Sequence, residues 1–477
     1  MKRMILWVLA ATLVCGASVF TSCSNNDDNP GKEEAKKNRT EFIQHTRQTL
    51  KEMAENLNFS SWEAANTMNN YFNMYVLNNP EFNQSVITAF LQKVVLSMKP
   101  VEEGSELAQM GYMVYGTVDF ADFNYRFTMN SDNNGWDIEP ADNFEVIFNS
   151  WNPLTQQMET GLYKLTLKPG GNTSFKFVRP TQQEGIAIVI NMPAQLQFTI
   201  SDKLNGTWRD GFSGTFQNQI TVAEGHEFAQ LRRDNWQVSG TVISDIPEKE
   251  GNKADKTTLS FSILSDKVNK KGDVALSWEQ NGRKMVDLSL KESNDGTGGI
   301  QNFSLSQLSS SASIFDMIAT LLTSRSLDEA KITLLDDLTT TTSISDMKKI
   351  VQLSQELARA RRNYADLNTI DSYTQQMNEI VSATLTCKHH SMTIPMRMVT
   401  TKVGVDYWTV PALNFADENG YVPLTDMLDK ESIEYMINIM DHSVEPMQQS
   451  MITIRQLLQY VQTLVGTLKS IETPLQK

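Results

Sequence analysis

The sequence predicts an α+β protein: a large antiparallel β meander, either a curved sheet or an open barrel, flanked by N-terminal helices and by a C-terminal helical region with a heptad-patterned helix pair. Three observations carry this. Apolar residues alternate with polar ones across residues 106–295, as at Phe123, Tyr125, Phe127 and Met129, the spacing of a sheet with one buried and one wet face. On either side of that region the apolar spacing lengthens to three-four, the helical period. Between the alternating runs stand Asn134-Gly135, Gly170-Gly171-Asn172, Asn205-Gly206 and Asn281-Gly282, whose Gly and Asn tolerate the positive φ of tight hairpins.

Taken in order, residues 1–22 have the layout of an export signal. Lys2 and Arg3 are followed by the apolar run Met4 to Val14, and the segment then turns small and polar before Cys23. An uncleaved anchor is the rival reading, since Met4 to Phe20 carries no charge. Both readings put the body outside the cytoplasm. Ser22 before Cys23 fits a lipobox, Phe20 departs from its usual aliphatic residue, and Ser24-Asn25-Asn26-Asp27-Asp28-Asn29 follows at once. On these residues the N-terminus resembles that of Bacteroidetes outer-membrane and surface lipoproteins. The resemblance covers the signal region alone and implies a covalent lipid, palmitate among its acyl chains, at Cys23, with anchoring in the outer membrane and exposure at the cell surface.

Residues 23–40 read as a disordered tether, being polar with a single Ala, so that little burial is on offer to order them. Helices are expected over 41–100. Ile43, Leu50, Met53 and Leu57 mark the first; Ser60-Ser61-Trp62-Glu63 opens a second with a capping box; Glu81 to Met98 forms a third, ended by Pro100. The β-sheet domain spans 106–295. Gly116-Thr117-Val118 and Gly240-Thr241-Val242 open two of its runs and hint at a duplication.

After Gly296–Gly299 the chain is expected to be mainly helical over 300–477, with a short β insert at 385–412. Met347 to Val381 carries a heptad seam through Ile350, Leu353, Leu357, Ala360, Tyr364 and Leu367 that slips by one residue near Asn368. A second seam, Met447, Met451, Ile454, Leu458, Val461, Val465 and Leu468, is unbroken, and a coiled-coil-like antiparallel pair of the two is the simplest packing.

Composition narrows function by exclusion. Of 42 Lys and Arg against 56 Asp and Glu, loss of Lys2 and Arg3 leaves an excess of about 16 negative charges, which argues against nucleic acid and anionic surfaces as partners. With Cys15 removed and Cys23 acylated, Cys387 alone stays a thiol, so no disulfide framework is expected.

No Walker A loop, nucleophile elbow, HExxH, paired CxxC or Rossmann glycine pattern occurs. Asn130-Ser131-Asp132-Asn133-Asn134-Gly135 copies the first half of a calcium loop, making Asn130, Asp132 and Asn134 candidate ligands. Ala141 stands where the closing Glu belongs, so an Asn/Asp hairpin turn is the preferred reading. Cys387-Lys388-His389-His390 is the one cluster of ligand-type side chains. On a strand Cys387 and His389 would share a face, and further donors such as His226 or His442 would have to come from elsewhere.

The expected function is a lipid-anchored, non-enzymatic binding or structural module without a dissociable cofactor, its partners the membrane and a lipid, glycan or envelope protein. The alternatives are a glycan-binding or glycan-degrading surface protein, suggested by Trp62, Trp136, Trp151, Trp208, Trp236, Trp278 and Trp408, or a lipid carrier with an apolar groove.

Overall fold

The computed structural model describes residues 30–56, 80–130, 135–152, 157–181, 183–204, 206–230, 233–246, 255–293, 326–403, 406–416, 420–427, 431–432 and 434–435. The signal segment, Cys23, the helix expected from Ser60 and the second heptad seam lie outside them. Among the described residues no helix is long and apolar enough to cross a membrane.

The protein is a mixed α+β structure built on a large, mostly antiparallel, open sheet with few helices. Helix α1 (Pro30–Asn56) and helix α2 (Pro80–Leu96) come first. The pair β1 (Lys99–Pro100) and β2 (Val114–Asp119) brackets a four-residue helix, α3 (Glu106–Gln109). The strands β3 (Tyr125–Met129), β4 (Trp136–Pro140), β5 (Phe144–Asn152), β6 (Gln157–Pro169), β7 (Ser174–Pro180), β8 (Ile186–Pro193), β9 (Gln195–Leu204), β10 (Thr207–Thr221), β11 (Asn235–Ile246) and β12 (Asp255–Asp266) follow. Then come β13 (Lys271–Gln280), β14 (Arg283–Ser293), β15 (Ser326–Leu334) and β16 (Leu338–Ile344), then helices α4 (Met347–Arg362) and α5 (Leu367–Ile380). Strands β17 (Val381–Cys387), β18 (Met392–Val403), β19 (Asp406–Asn414) and β20 (Tyr421–Pro423) precede the short helix α6 (Leu424–Met427).

Hydrogen-bonded order in the large sheet is β20-β19-β18-β17-β16-β15-β14-β13-β12-β11-β10-β9-β6-β5-β3-β4. Neighbours in sequence are therefore mostly neighbours in space, as short hairpin connections dictate. β4, at one end of this order, carries Asp137, Glu139 and Pro140, which blunt an edge that would otherwise pair with another chain.

By its contacts the chain divides into two compact units, one holding residues 1–58, 263–303 and 311–448, the other 59–262, 304–310 and 449–477, with the division falling inside β12. In the second unit the expected single meander is not what forms. The hairpin β7–β8 leaves the main ladder and β6 pairs directly with β9. β8 then lies parallel to β2, giving a separate sheet of order β1-β2-β8-β7. Val118, Ile188, Ile190 and Val94 form its core, since both faces of β8 are nearly all apolar and call for cover on each side.

Gly116 sits where α2 crosses β2, so that an added Cβ would meet the Val94 side chain and carbonyl at 3.0 Å. Gly240 of β11 instead makes room for the rings of Phe261 and Phe216. The two Gly-Thr-Val triplets thus occupy different sheets for different steric reasons, which removes the hint of duplication.

Three further expectations change. Residues 30–40 are helical rather than a tether: Pro30 stands in the first turn, Glu, Ala and Lys are strong helix formers, and Lys37 pairs with Glu41 at 3.8 Å. Once Phe42, Leu50 and Met53 are buried and the helix is nucleated, each residue added upstream gains a hydrogen bond without needing burial. Residues 326–344 are the hairpin β15–β16 and not helix. The first heptad seam is two helices, α4 and α5, broken at Asn363–Asp366, where Asp366 caps α5 through the Thr369 N–H. Ile350, Leu353, Ile370 and Met377 are buried where the two helices meet each other and strands β18 and β19, while Tyr364 and Leu367, at the break, are exposed.

Candidate metal centre

In the first unit, two hairpin turns meet at one end of the sheet. β16 pairs with β17 so that Leu338 lies opposite Cys387. This register puts the turn Leu335-Asp336-Asp337 beside the turn Lys388-His389-His390-Ser391. Leu335, Asp336 and Ser391 all have positive φ, at 51°, 56° and 52°, which folds both turns tightly. The turns are joined by the Lys388 N–H, which donates to the Asp337 carbonyl at 3.2 Å, and by the His389 N–H, which donates to Asp337 Oδ1 at 2.8 Å.

Helix α1 supplies the third wall. Phe42 is 1% exposed and packs with Leu338, Cys387, Ile394, Met396, Leu413, Phe415 and Met427. Burying one such ring stabilises by roughly 1.5–3 kcal/mol, enough to fix the helix in place and rotation. One turn further along, His45 is thereby set over the two turns. Arg47 reinforces the position by donating to the Met427 carbonyl at 3.0 Å.

His45 Nε2 is hydrogen-bonded to Asp337 Oδ2. Its ring stacks on that of His389, with centroids 4.5 Å apart and planes 6° from parallel, and meets His390 edge-on at 5.2 Å. His389 and His390 are themselves edge-to-face at 4.9 Å. One ring nitrogen from each of His45, His389 and His390 lies within 4.8 Å of the other two, and His45, Asp337 and Cys387 converge within the same limit. His390 Nε2 is buried and has no hydrogen-bond partner.

Burial pushes the Asp337 carboxyl up, but the hydrogen bonds from His45 and from the His389 N–H, with the charge of the nearby imidazoles, outweigh it and hold the group below the ordinary carboxylate range. The Cys387 thiol is pushed up, first by burial and also by the neighbouring Asp337. Cys387 is buried in the apolar core that carries the cluster.

The Cys387-Lys388-His389-His390 cluster is therefore real as a meeting place but differs from its expected form. Cys387 ends β17, and the two histidines stand on the turn after it, so Cys387 and His389 do not share a strand face. The extra donors are His45 and Asp337, which sequence reasoning did not single out; they are 292 positions apart. His226 is committed elsewhere, to Glu106, and His442 lies outside the described residues.

Of the calcium-loop candidates, Asn130 follows β3 and closes the β3–β4 hairpin through its N–H to the Gly135 carbonyl at 3.1 Å. Asp132 and Asn134 lie outside the described residues. Nearby Glu139 is engaged by Arg126 at 2.8 Å.

Comparison with family models, with curated proteins and with solved structures finds no match.

Proposed function

We propose that this chain is a lipid-anchored envelope protein that works by binding or by structural support rather than by turnover. The signal layout ending at Cys23 supports the anchor. The observation that carries the binding or scaffold part is the open sheet itself: long paired strands such as β10 and β11 are in register over ten consecutive residue pairs, which builds an extended, stiff surface.

The tryptophans favour this over a sugar platform. Trp236 and Trp278 are buried. Trp136 packs on Phe82 at 4.6 Å, Trp208 has Lys164 and Lys203 over its ring, and the Arg361 guanidinium lies 3.4 Å from the Trp408 centroid. Among the described tryptophan side chains each thus has a partner inside the protein, where sugar stacking requires a bare ring face.

Metabolic labelling with an alkyne fatty acid tests the anchor. The wild type should be labelled and should sediment with membranes, while Cys23→Ala should be unlabelled and soluble. A Cys23→Ala protein that remains labelled and membrane-bound would overturn the reading.

A further inference from the structure

We propose that His45, His389 and His390 form a binding site for a late divalent transition metal ion, with zinc the reference ion and Asp337 the positioning residue that orients His45. The chemistry of the donor set selects this class. Imidazole nitrogen is a borderline donor that suits zinc, copper and nickel, whereas calcium and magnesium demand oxygens.

The geometry is that of an open site. Three nitrogens lie within 4.8 Å of one another, and a tetrahedral ion with bonds of about 2.0–2.1 Å would draw its ligand atoms to about 3.3 Å apart. The adjustment falls on His389, an exposed side chain on a four-residue turn, whose ring now stacks on His45 and meets His390 edge-on. Three protein ligands leave a fourth position to solvent or to a partner's donor.

Two separate features point to a ligand rather than to a folded-in polar cluster. His390 Nε2 is buried without a partner, which costs free energy unless something binds it. The carboxylate–imidazole hydrogen bond between Asp337 and His45 is the arrangement that fixes ring orientation and raises basicity at metal-bound histidines.

The test uses the untagged mature chain, stripped of metal by chelator dialysis. Zinc is titrated calorimetrically, and Co²⁺ serves as a spectroscopic probe of low-coordinate nitrogen ligation. The expected result is one equivalent per chain, with visible ligand-field bands and no thiolate charge-transfer absorption. Asp337→Asn should weaken zinc by about 10–100-fold while keeping the Co²⁺ spectrum; His389→Ala and His45→Ala should each weaken it further and abolish the spectrum.

Cys387→Ala and His226→Ala should bind as the wild type does. His389 is exposed, so its variant keeps the decision open should His45→Ala fold poorly. Absence of zinc binding and of a Co²⁺ spectrum in the wild type, or unchanged binding by His389→Ala, would overturn the assignment.

Discussion

Among the described residues two clusters mix histidine with carboxylates, and they are built on opposite principles. In the second unit, Asp234 is 1% exposed and accepts from the Ala223 N–H at 3.1 Å, the Gln230 N–H at 2.7 Å and Arg233 Nε at 2.8 Å. Glu106 accepts from the N–H groups of Glu227 and Phe228 and from His226 Nδ1, and Arg233 approaches it at 3.5 Å. Here the charges are of both signs and the backbone of residues 223–230 is tied down by side chains. In the first unit three imidazoles lie together, one of them bonded to Asp337, a buried nitrogen is left over, and an apolar core beneath holds the group together. The first arrangement spends its polar atoms on the fold. The second leaves donors to spare, as a site that takes a ligand must.

If the contrast is sound, the largest effect comes from removing what supports the histidines rather than the histidines themselves. Phe42→Ala should destabilise the first unit by about 3–5 kcal/mol, because a ring buried against Leu338, Cys387 and Phe415 leaves a cavity. Urea unfolding reads the loss, and His45 should lose its fixed position with it. In the second unit the polar atoms themselves are the support. Asp234→Ala should cost about 2–4 kcal/mol, since it strands two backbone N–H groups and a guanidinium. Amide exchange at Ala223 and Gln230 should speed up. By contrast His389→Ala should leave stability within about 0.5 kcal/mol of wild type, while removing metal binding. A large loss of stability in His389→Ala would show that the histidine cluster of the first unit too is a fold device.

Acid should separate the two regions further. Burial pushes both Asp234 and Glu106 up, but their hydrogen bonds and nearby positive charges win, and both carboxyls are held below their ordinary range in the folded chain. Each ionises more readily folded than unfolded. Their contribution is therefore complete above the usual carboxylate range of about pH 4 and fades as pH falls through the lower folded values. Limited proteolysis of the segment 223–234 should be slow at neutral pH and accelerate below about pH 4. Asp234→Ala should already show the fast rate at neutral pH.

How much of this was legible in the sequence depends on whether the signal was local. Asn281-Gly282 announced the β13–β14 hairpin, and both residues do take positive φ, at 51° and 79°. Alternation was likewise readable within a dozen residues, and so was the slip of the first seam, although the chain breaks at Asn363–Asp366, just ahead of Asn368. The hairpin β15–β16 was not, because its second strand is Leu338-Thr339-Thr340-Thr341-Thr342-Ser343-Ile344. Its buried face includes Thr340 and Thr342, and its other face Thr339 and Thr341, so the burial alternates while hydrophobicity does not.

β10 hid for a related reason. A bulge shifts its register between Asp210 and Phe212, and glycine replaces an apolar residue at Gly214, where the ring of Phe198 needs the space. The histidine cluster was half legible. His389 and His390 stand together in sequence, but His45 joins them only through the seating of Phe42, and Asp337 only through the Leu338–Cys387 register. The first pairing spans 292 positions and the second 52, and no local pattern encodes either.

Between the extremes lies the effect of metal on stability itself. An ion that binds the folded first unit stabilises it by mass action, about 2.7 kcal/mol at a free concentration a hundred times Kd. Thermal unfolding of the wild type with zinc should shift the transition of the first unit and leave that of the second in place. Both transitions moving together would mean that the units unfold as one, and neither moving would mean that the histidines bind nothing.

The smallest expected effect concerns Lys388, the one cation on the histidine turn. It pairs with Asp336 at 2.9 Å with both side chains largely exposed, so the pair contributes little to the fold and Lys388→Ala should unfold as the wild type does. Its charge still acts on the site. Loss of the ammonium and release of the Asp336 carboxylate both make the local potential more negative, which favours a divalent cation. Exposed charges are damped by solvent and salt, so zinc affinity should rise only about two- to threefold at low ionic strength, and the gain should disappear as salt shortens the screening length to a few ångströms at about 1 M. A gain that persists in high salt would mean that Lys388 acts by shape, holding the turn closed against the ion, and not through its charge.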